Sequence, residues 1–266
     1  MFTFTREQKH LLIMARIALV TGASAGIGQA TGLLLARHGF DVIITGRRRE
    51  KLEELENEIR GGTSSDVLAL VFDIRDQEAV RSACGNLAGK WEQVDVLVNN
   101  AGLAVGFNQI HEGVVEDWER MIDTNIKGLL YITREISPGM VRRGSGHIIN
   151  IGSIAGKEAY EKGNVYNATK FAVDGLTQGM RIDLVEHGIR VTAINPGAVE
   201  TEFSVVRFKG DRDKADQVYQ GFTPLFAEDI AEAILFAVTR PAHVNIDDML
   251  IMATPQALTR KIIREQ

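Results

Sequence analysis

The stretch that decides the fold is "RIALVTGASAGIG", residues 16–28, in which a short apolar run leads into a glycine-rich turn. Gly22, Gly26 and Gly28 let the backbone turn tightly and approach an anion closely. The helical pattern that follows, residues 27–38, directs the free N–H groups of a helix N-terminus toward that anion. A strand before the turn and a helix after it favour a pyrophosphate-binding turn over a tight turn without a ligand.

Six further apolar runs, rich in Val, Ile and Leu, follow along the chain at 41–45, 67–72, 94–99, 146–151, 189–194 and 248–253. They are nearly continuous rather than alternating, which is typical of strands buried on both faces of a parallel sheet. Helical patterns lie between them at 49–60, 76–90, 114–143, 163–187 and 227–239. This order of strands and helices predicts an α/β fold with a doubly wound parallel sheet.

The chain of 266 residues has no linker-like stretch and no internal repeat, which predicts one domain, residues 15–254. Residues 1–14 precede it as an extension that is either native or due to an upstream start site, and residues 255–266 form a basic tail. That tail is expected to be solvated or to contact another subunit. Residues 201–221 are charged and irregular, which favours a lid over the substrate, with a solvated surface helix as the alternative.

Composition excludes several classes of protein. The net charge of −5 gives no reason to expect nucleic acid or a membrane as a partner. The single cysteine permits no intrachain disulfide, which fits the cytoplasm. The histidines show no metal-ligand spacing, so no metal is expected.

The second strand leads into "ITGRRREKL", residues 44–52. A dinucleotide-binding domain usually carries a carboxylate here, which bonds the adenosine ribose. Gly46 occupies that position, and an arginine after it can bind a ribose phosphate with a bidentate fork. We therefore expect NADP as the cofactor, with Arg47 as the main phosphate ligand and Arg48 as support. The alternative is a solvated basic start of the next helix, which the helix dipole disfavours.

Three residues in 153–170 suit the oxidation of an alcohol. Tyr166 and Lys170 are four apart and share one face of a helix, and Ser153 ends a strand at the ligand-binding edge of the sheet. Hydride transfer from an alcohol needs a base for the hydroxyl proton. A nearby ammonium lowers the pKa of a tyrosine and so makes it a better base.

Together these motifs resemble the short-chain dehydrogenase/reductase family over roughly residues 15–254: "TGASAGIG", "NNAG" at 99–102, "DTNIKG", "YNATK" and "NPGAVET" at 195–201. The resemblance implies a single Rossmann-type domain with a seven-stranded parallel sheet. It implies a catalytic set of Asn125, Ser153, Tyr166 and Lys170, in which Asn125 sustains a water-linked proton relay. Asp73 would meet the adenine, Asn99 the adenosine half, and Val199 and Thr201 the carboxamide.

The expected cofactor-binding residues are Gly22, Ser24, Gly26, Ile27, Gly28, Arg47, Arg48, Asp73, Ile74, Asn99, Ala101, Gly102, Tyr166, Lys170, Pro196, Gly197, Val199 and Thr201. The stretches "VEDWERMIDTNIKGLLYITR", "GNVYNATK", "EFSVVRFKGD" and "RPAHVNI" resemble, more narrowly, NADP-dependent 3-hydroxy acid dehydrogenases, also called serine or L-allo-threonine dehydrogenases. That resemblance implies a homotetramer and a small substrate with a carboxylate and a 3-hydroxyl, which Ser153 and Tyr166 would hold at the reacting end.

The substrate carboxylate needs a cationic partner, and the lid sequence offers Arg207 and Lys209. We favour Arg207 because a planar guanidinium matches a carboxylate. The alternative for Arg207 is a structural salt bridge with Asp211 or Asp213. Two other functions remain open: a reductase of another carbonyl (3-oxoacyl, sugar or steroid), and a non-enzymatic cofactor sensor, which the intact Tyr166 and Lys170 disfavour.

Overall fold

The structure is a computed structural model, and it describes residues 15–265. The expected extension, residues 1–14, lies outside this range. The predicted strands are confirmed, and they form one seven-stranded sheet in the order β3-β2-β1-β4-β5-β6-β7. All six pairings are parallel. The strands are β1 Ile17–Val20, β2 Asp41–Gly46, β3 Val67–Val71, β4 Val94–Asn99, β5 Gly146–Ile151, β6 Ile189–Pro196 and β7 Asp248–Ile251.

Helices cover both faces of the sheet, because successive strand residues point to opposite faces and both faces are apolar. In β1, Ala18 and Val20 pack under one helix layer, and Ile17 and Leu19 pack under the other. The main helices are α1 Gly26–Arg37, α2 Arg49–Gly62, α3 Gln77–Gly85, α4 Val115–Ile122, α5 Leu129–Arg143, α6 Asn164–Leu184, α7 Phe203–Arg207, α8 Arg212–Gln217 and α9 Ala227–Val238. One layer contains α1, α2 and α9, and the other contains α3, α5 and part of α6.

Two predicted helices differ from the structure. The helix predicted over 76–90 ends at Gly85, and a separate 3-10 turn begins at Gly89, whose backbone is left-handed with φ +62°. The helix predicted over 114–143 is interrupted by a π-helical turn, Asp123–Gly128, between α4 and α5. Turns of this kind are rare in proteins, and those that occur often lie at functional sites.

The two charged segments near the end of the chain are both folded. Residues 201–221 contain α7 and α8, two short helices rather than one surface helix or an irregular loop. Most of residues 255–265 are exposed, including Leu258 at 49% and Ile263 at 68%, which is compatible with the expected solvated or subunit-contact tail. The N–H of Ile263 donates to the Pro255 carbonyl at 2.9 Å, and Arg264 Nη2 donates to the Val218 carbonyl at 3.0 Å. The tail therefore packs against the end of the lid segment.

Because all seven strands run parallel, their carboxyl ends meet at one edge of the sheet. The strand order reverses between β1 and β4, and a crevice opens there in folds of this kind. The residues expected to bind cofactor and substrate follow these strand ends. Among residues 15–265, no helix combines the length and the apolarity that a membrane crossing needs.

Candidate active site

A cleft of about 1150 Å³ lies at the carboxyl edge of the sheet. Its walls come from the glycine turn, the ends of β2, β4, β5 and β6, the lid segment and the tail. Eighteen of the residues expected from the sequence line it: Gly22, Ser24, Gly26, Ile27, Arg47, Arg48, Asp73, Ile74, Ala101, Gly102, Ser153, Tyr166, Lys170, Pro196, Gly197, Val199, Thr201 and Arg207. The lining leaves out three of the expected residues, Gly28, Asn99 and Asn125.

The glycine turn is built for close approach. Gly22 has φ +66°, and a Cβ on it would lie 2.9 Å from the Cα of Ala101. A Cβ on Gly28 would lie 2.4 Å from the Gly22 carbonyl oxygen, so Gly28 serves the packing of α1 against the turn. No side chain caps the N-terminus of α1, and its first turn holds no acidic residue. Its N–H groups are thus available to an anion in the cleft.

The three arginines after β2 have different surroundings. Arg48 donates from Nε to Ser24 Oγ at 3.2 Å and from Nη2 to the Ser24 carbonyl at 3.1 Å, at the rim of the glycine turn. Arg47 is half-exposed, and its Nη1 lies 3.7 Å from Asp73 Oδ2. Arg49 begins α2 and faces Glu53 on the outer surface. Arg47 and Arg48 are the two cations of this run that line the cleft.

Asp73 lines the cleft just after the end of β3, and its carboxylate is paired with Arg75. Arg75 donates to it from Nε at 3.0 Å and from Nη2 at 2.6 Å. The hydrogen bond from Arg75 holds the pKa of Asp73 below its usual value. The expected contact with an adenine amino group therefore has to share this carboxylate with Arg75.

Tyr166 and Lys170 lie one turn apart in α6, and both are buried. Lys170 Nζ donates to the Ile151 carbonyl at 2.8 Å, which fixes the ammonium at the end of β5. Burial lowers the pKa of Lys170 to about 8.

Ser153 follows β5, and its Oγ accepts from the Ala155 N–H at 3.1 Å and donates to the Pro196 carbonyl at 3.5 Å. Ser153 also lowers the pKa of the neighbouring Tyr166 phenol. The three residues expected for catalysis thus meet at the floor of the cleft.

The electrostatics of Tyr166 differ from the sequence-based expectation. Burial raises the pKa of Tyr166, and the neighbouring Tyr160 acts in the same direction. Ser153 and the Arg207 guanidinium lower it. Lys170 Nζ lies 6.0 Å from the centre of the Tyr166 ring. The nearby cation that favours the phenolate in this structure is therefore Arg207.

Asn125 lies in the π-helical turn and is buried. Its Nδ2 donates to the Leu103 carbonyl at 2.9 Å and to Thr169 Oγ1 at 3.0 Å, and its Oδ1 accepts from the Leu103 N–H at 2.9 Å. The side chain thus ties the loop after β4 to α6. A role in proton relay would have to come from its backbone, because the side chain is committed to these contacts.

The side chain of Asn99 does not line the cleft. It is buried and donates to Thr133 Oγ1 at 2.9 Å and to Asn150 Oδ1 at 2.8 Å, inside the domain. The next residue, Asn100, lines the cleft and donates to the Thr21 carbonyl at 2.8 Å, because neighbouring residues at a strand end point in opposite directions. Any support of the adenosine half by Asn99 would therefore come from its backbone or through its neighbours.

Arg207 at the end of α7 reaches the substrate end of the cleft. Its Cζ lies 4.9 Å from the Phe107 ring centre, 5.2 Å from that of Tyr160 and 5.6 Å from that of Tyr166. Its Nη2 donates to the Tyr160 hydroxyl at 2.7 Å. Its Nε is buried and has no hydrogen-bond partner within the described chain.

The alternatives for Arg207 do not hold. Within residues 15–265, no carboxylate oxygen comes within 4.0 Å of its guanidinium. Asp211 pairs with Lys214 at 2.8 Å instead. The second candidate, Lys209, pairs with the buried Asp117 at 2.7 Å. Arg207 is thus left as the lid cation that faces the cleft without an acidic partner.

Sequence reasoning missed several residues of the cleft. Tyr160 and Phe203 flank Tyr166, and Gln256 and Arg260 come from the tail. Gln256 Oε1 accepts a hydrogen bond from the Ala198 N–H at 2.8 Å. No local motif marks these residues, because they reach the cleft through contacts distant along the chain. No group of three potential metal ligands is found in the described part of the chain.

The chain is similar in sequence to known dehydrogenases and reductases. The family described as short chain dehydrogenase matches residues 16–211. The NADP-dependent 3-hydroxy acid dehydrogenase YdfG of Salmonella typhi is 49% identical over 242 residues, which cover 91% of this chain and 96% of that protein. Sulfoacetaldehyde reductase 2 of Chromohalobacter salexigens is 43% identical over 245 residues, covering 92% and 96%.

Two solved structures of serine dehydrogenases are also similar to this chain. The closed form of a serine dehydrogenase complexed with NADP+ has a TM-score of 0.87 and 47% identity, and covers 94% of this chain and 100% of that one. The serine dehydrogenase of Escherichia coli has a TM-score of 0.78 and 43% identity, covering 91% and 99%. The chain belongs to the short-chain dehydrogenase family, and it is an NADP-dependent oxidoreductase.

Proposed function

We propose that the protein transfers hydride between NADP(H) and the 3-hydroxyl or 3-oxo carbon of a short hydroxy acid. Substrates of this class include L-serine, L-allo-threonine, 3-hydroxypropionate and 3-hydroxyisobutyrate. The observation that carries the proposal is Arg207, a partly buried guanidinium that lines the cleft and lacks a carboxylate partner within residues 15–265. The 3-hydroxy acid and serine dehydrogenases among its relatives support the same class.

A partly buried cation is stabilised by a counter-charge, because burial removes part of the water that would otherwise solvate it. Arg207 Nη2 is engaged by the Tyr160 hydroxyl, and no carboxylate of the described chain pairs with the guanidinium. A substrate carboxylate in the cleft could supply that counter-charge, because Arg207 lines the cleft. Arg207 also lies beside the Tyr166 ring, so a carboxylate bound there would hold a short chain with its hydroxyl near the phenol.

Tyr166 is the proposed proton donor in carbonyl reduction and the proton acceptor in alcohol oxidation. The nicotinamide of NADP supplies or accepts the hydride when bound. Ser153 lies beside Tyr166 and would hold the substrate oxygen. Lys170 is fixed by the Ile151 carbonyl and would hold the nicotinamide ribose. Ser153 and the Arg207 guanidinium lower the pKa of Tyr166 but do not cancel the effect of burial, which keeps that pKa above its usual value.

The relative that reduces sulfoacetaldehyde suggests a second candidate, an aldehyde with a sulfonate group. A guanidinium binds either anion, so Arg207 alone does not separate the two classes. We further expect a cytoplasmic homotetramer. Exposed apolar side chains on α5 and α6, such as Leu130, Phe171 and Ile182, support an assembly of subunits.

A steady-state panel tests the proposed function. NADPH oxidation is followed at 340 nm with malonic semialdehyde and sulfoacetaldehyde, and NADP reduction with L-serine, L-allo-threonine and 3-hydroxypropionate. We expect turnover with at least one short 3-hydroxy acid or its semialdehyde. Turnover of a bulky neutral alcohol without any turnover of these acids would exclude the proposal.

Replacing Tyr166 with Phe should lower kcat by about 10²-fold or more, because only the proton-transferring hydroxyl is lost. NADP affinity, measured by NADPH fluorescence, should stay close to that of the wild type. Tyr131→Phe is the matched control, since Tyr131 lies on α5 away from the cleft lining. A Tyr166→Phe enzyme that keeps more than roughly a tenth of the wild-type rate would remove Tyr166 from this role.

Replacing Arg207 with Met should raise the KM for 3-hydroxypropionate by about 30-fold or more, since a buried charge contact is worth about 2 kcal/mol or more. The KM for 1,3-propanediol, which lacks the carboxylate, should change far less. Arg212→Met removes an exposed lid cation outside the cleft lining and should affect neither substrate. Equal effects of Arg207→Met on both substrates would assign the arginine a structural role.

The double substitution Gly46→Asp with Arg47→Ala should shift the cofactor preference toward NAD by about 100-fold in the ratio of kcat/KM values. A Cβ on Gly46 would lie 3.5 Å from Ser24 Cβ and 3.6 Å from Leu52 Cδ2, so the backbone there has room for the Cβ of an aspartate. Arg49→Ala, on the outer surface, is the control. If the double variant keeps a strong preference for NADP, then Arg48 and Ser24 hold the phosphate without Arg47.

A further inference from the structure

Arg48 is held by two different groups at the rim of the cleft. Its Nε and Nη2 donate to Ser24, at the glycine turn. Its Nη1 lies 2.8 Å from Oε2 of Glu202. Glu202 therefore neutralises a cation that should be available to the ribose phosphate of NADP.

The Arg48–Glu202 ion pair joins two distant parts of the chain. Arg48 follows β2, at the end of the cleft expected to hold the adenosine. Glu202 immediately precedes α7, and its carbonyl accepts a hydrogen bond from the Val206 N–H at 3.0 Å. The helix α7 carries Phe203, whose ring centre lies 5.5 Å from that of Tyr166, and Arg207. The first turn of the lid is thus tied to the expected phosphate site.

The ion pair is weak enough to be exchanged. The side chains of Arg48 and Glu202 are 45% and 56% exposed, and exposed pairs contribute about 0.2–1 kcal/mol. A phosphate monoester carries a charge of about −1.5 to −2 near neutral pH, against −1 for a carboxylate. A phosphate on Arg48 would also repel the Glu202 carboxylate, so the two anions compete for the same guanidinium.

We propose that Glu202 competes with the ribose phosphate of NADP for Arg48, so that phosphate binding releases the first turn of the lid. Glu202 is thereby a specificity-determining residue, because NAD lacks the phosphate and leaves the pair intact. The proposal rests on Arg48 as a phosphate ligand and not on the identity of the hydroxy acid.

Calorimetry with two cofactor fragments tests the competition without any catalysis. Adenosine 2′,5′-bisphosphate carries the ribose phosphate, and AMP lacks it. In Glu202→Gln we expect the bisphosphate to bind about two- to five-fold more tightly than in the wild type, and AMP to bind as before. The control Glu200→Gln makes the same charge change at an exposed neighbour that forms no ion pair with Arg48 in the described structure. An unchanged bisphosphate affinity in Glu202→Gln, or an equal gain in Glu200→Gln, would overturn the proposal.

A double variant separates direct competition for Arg48 from a general electrostatic effect of removing the Glu202 charge. In an Arg48→Met background, Glu202→Gln should no longer change bisphosphate affinity, because the shared guanidinium is gone. A gain of the same size in that background would contradict direct competition. If Arg48→Met by itself leaves bisphosphate affinity unchanged, Arg48 is not a phosphate ligand and the inference fails, while the proposed hydroxy acid chemistry stands.

Amide hydrogen exchange measures directly whether the first turn of the lid is released. In the wild type, the amide of Val206 should exchange faster with the bisphosphate bound than with AMP bound, because its acceptor is the carbonyl of Glu202. In Glu202→Gln the exchange should be fast with either fragment. Identical exchange with both fragments in the wild type would show that phosphate binding does not release the lid.

Discussion

The parallel pairing of β1 with both β2 and β4 is the constraint on which the rest of the structure depends. It sends the chain outward in opposite directions across the sheet and brings the carboxyl ends of all strands to one edge. Each functional group then occupies a position that a strand end dictates. The glycine turn follows β1, the arginines follow β2, Ser153 follows β5 and the lid follows β6. The helices α1 and α6 add an anion-binding N-terminus and the Tyr166–Lys170 pair.

Charge decides what this cleft can bind. At the substrate end, Lys170 and Arg207 are cations in apolar surroundings, and neither is paired with a carboxylate within residues 15–265. Burial of this kind costs free energy unless an anion or hydrogen bonds compensate. Lys170 has a backbone carbonyl as an acceptor, whereas Arg207 keeps a buried N–H without one. Under the proposed function, an anionic substrate would supply the counter-charge for Arg207.

The fold, and most of the residues that line the cleft, could be predicted because they depend on local sequence. Continuous apolar runs indicate buried parallel strands, and glycines between a strand and a helix indicate an anion site. The inward direction of the Asn99 side chain was not predicted, because a shift of one residue at a strand end reverses the direction of the side chain. Arg207 could be proposed from its charge and its place in the lid. Its surroundings, with Tyr160 and Phe107, depend on tertiary contacts.

The contacts of the tail and the salt bridges of the lid also could not be predicted from the sequence. Nothing in residues 255–265 indicates that Gln256 supports the Ala198 backbone or that Arg264 reaches Val218. Likewise, the sequence presents Glu202 as one more surface acid, and only the fold places it against Arg48. Contacts between segments far apart in sequence leave no local periodicity, so they become visible only in the assembled structure.

The central claim is that a cation without an acidic partner selects an anionic substrate. The most direct measurement compares kcat/KM of the wild-type enzyme for 3-hydroxypropionate and for 3-hydroxypropionamide, with NADP at saturation. The two compounds have nearly the same shape and differ in charge. We predict a preference for the acid of about 100-fold or more, since leaving a partly buried charge unpaired costs about 2–5 kcal/mol. Equal values, or a preference for the amide, would contradict it.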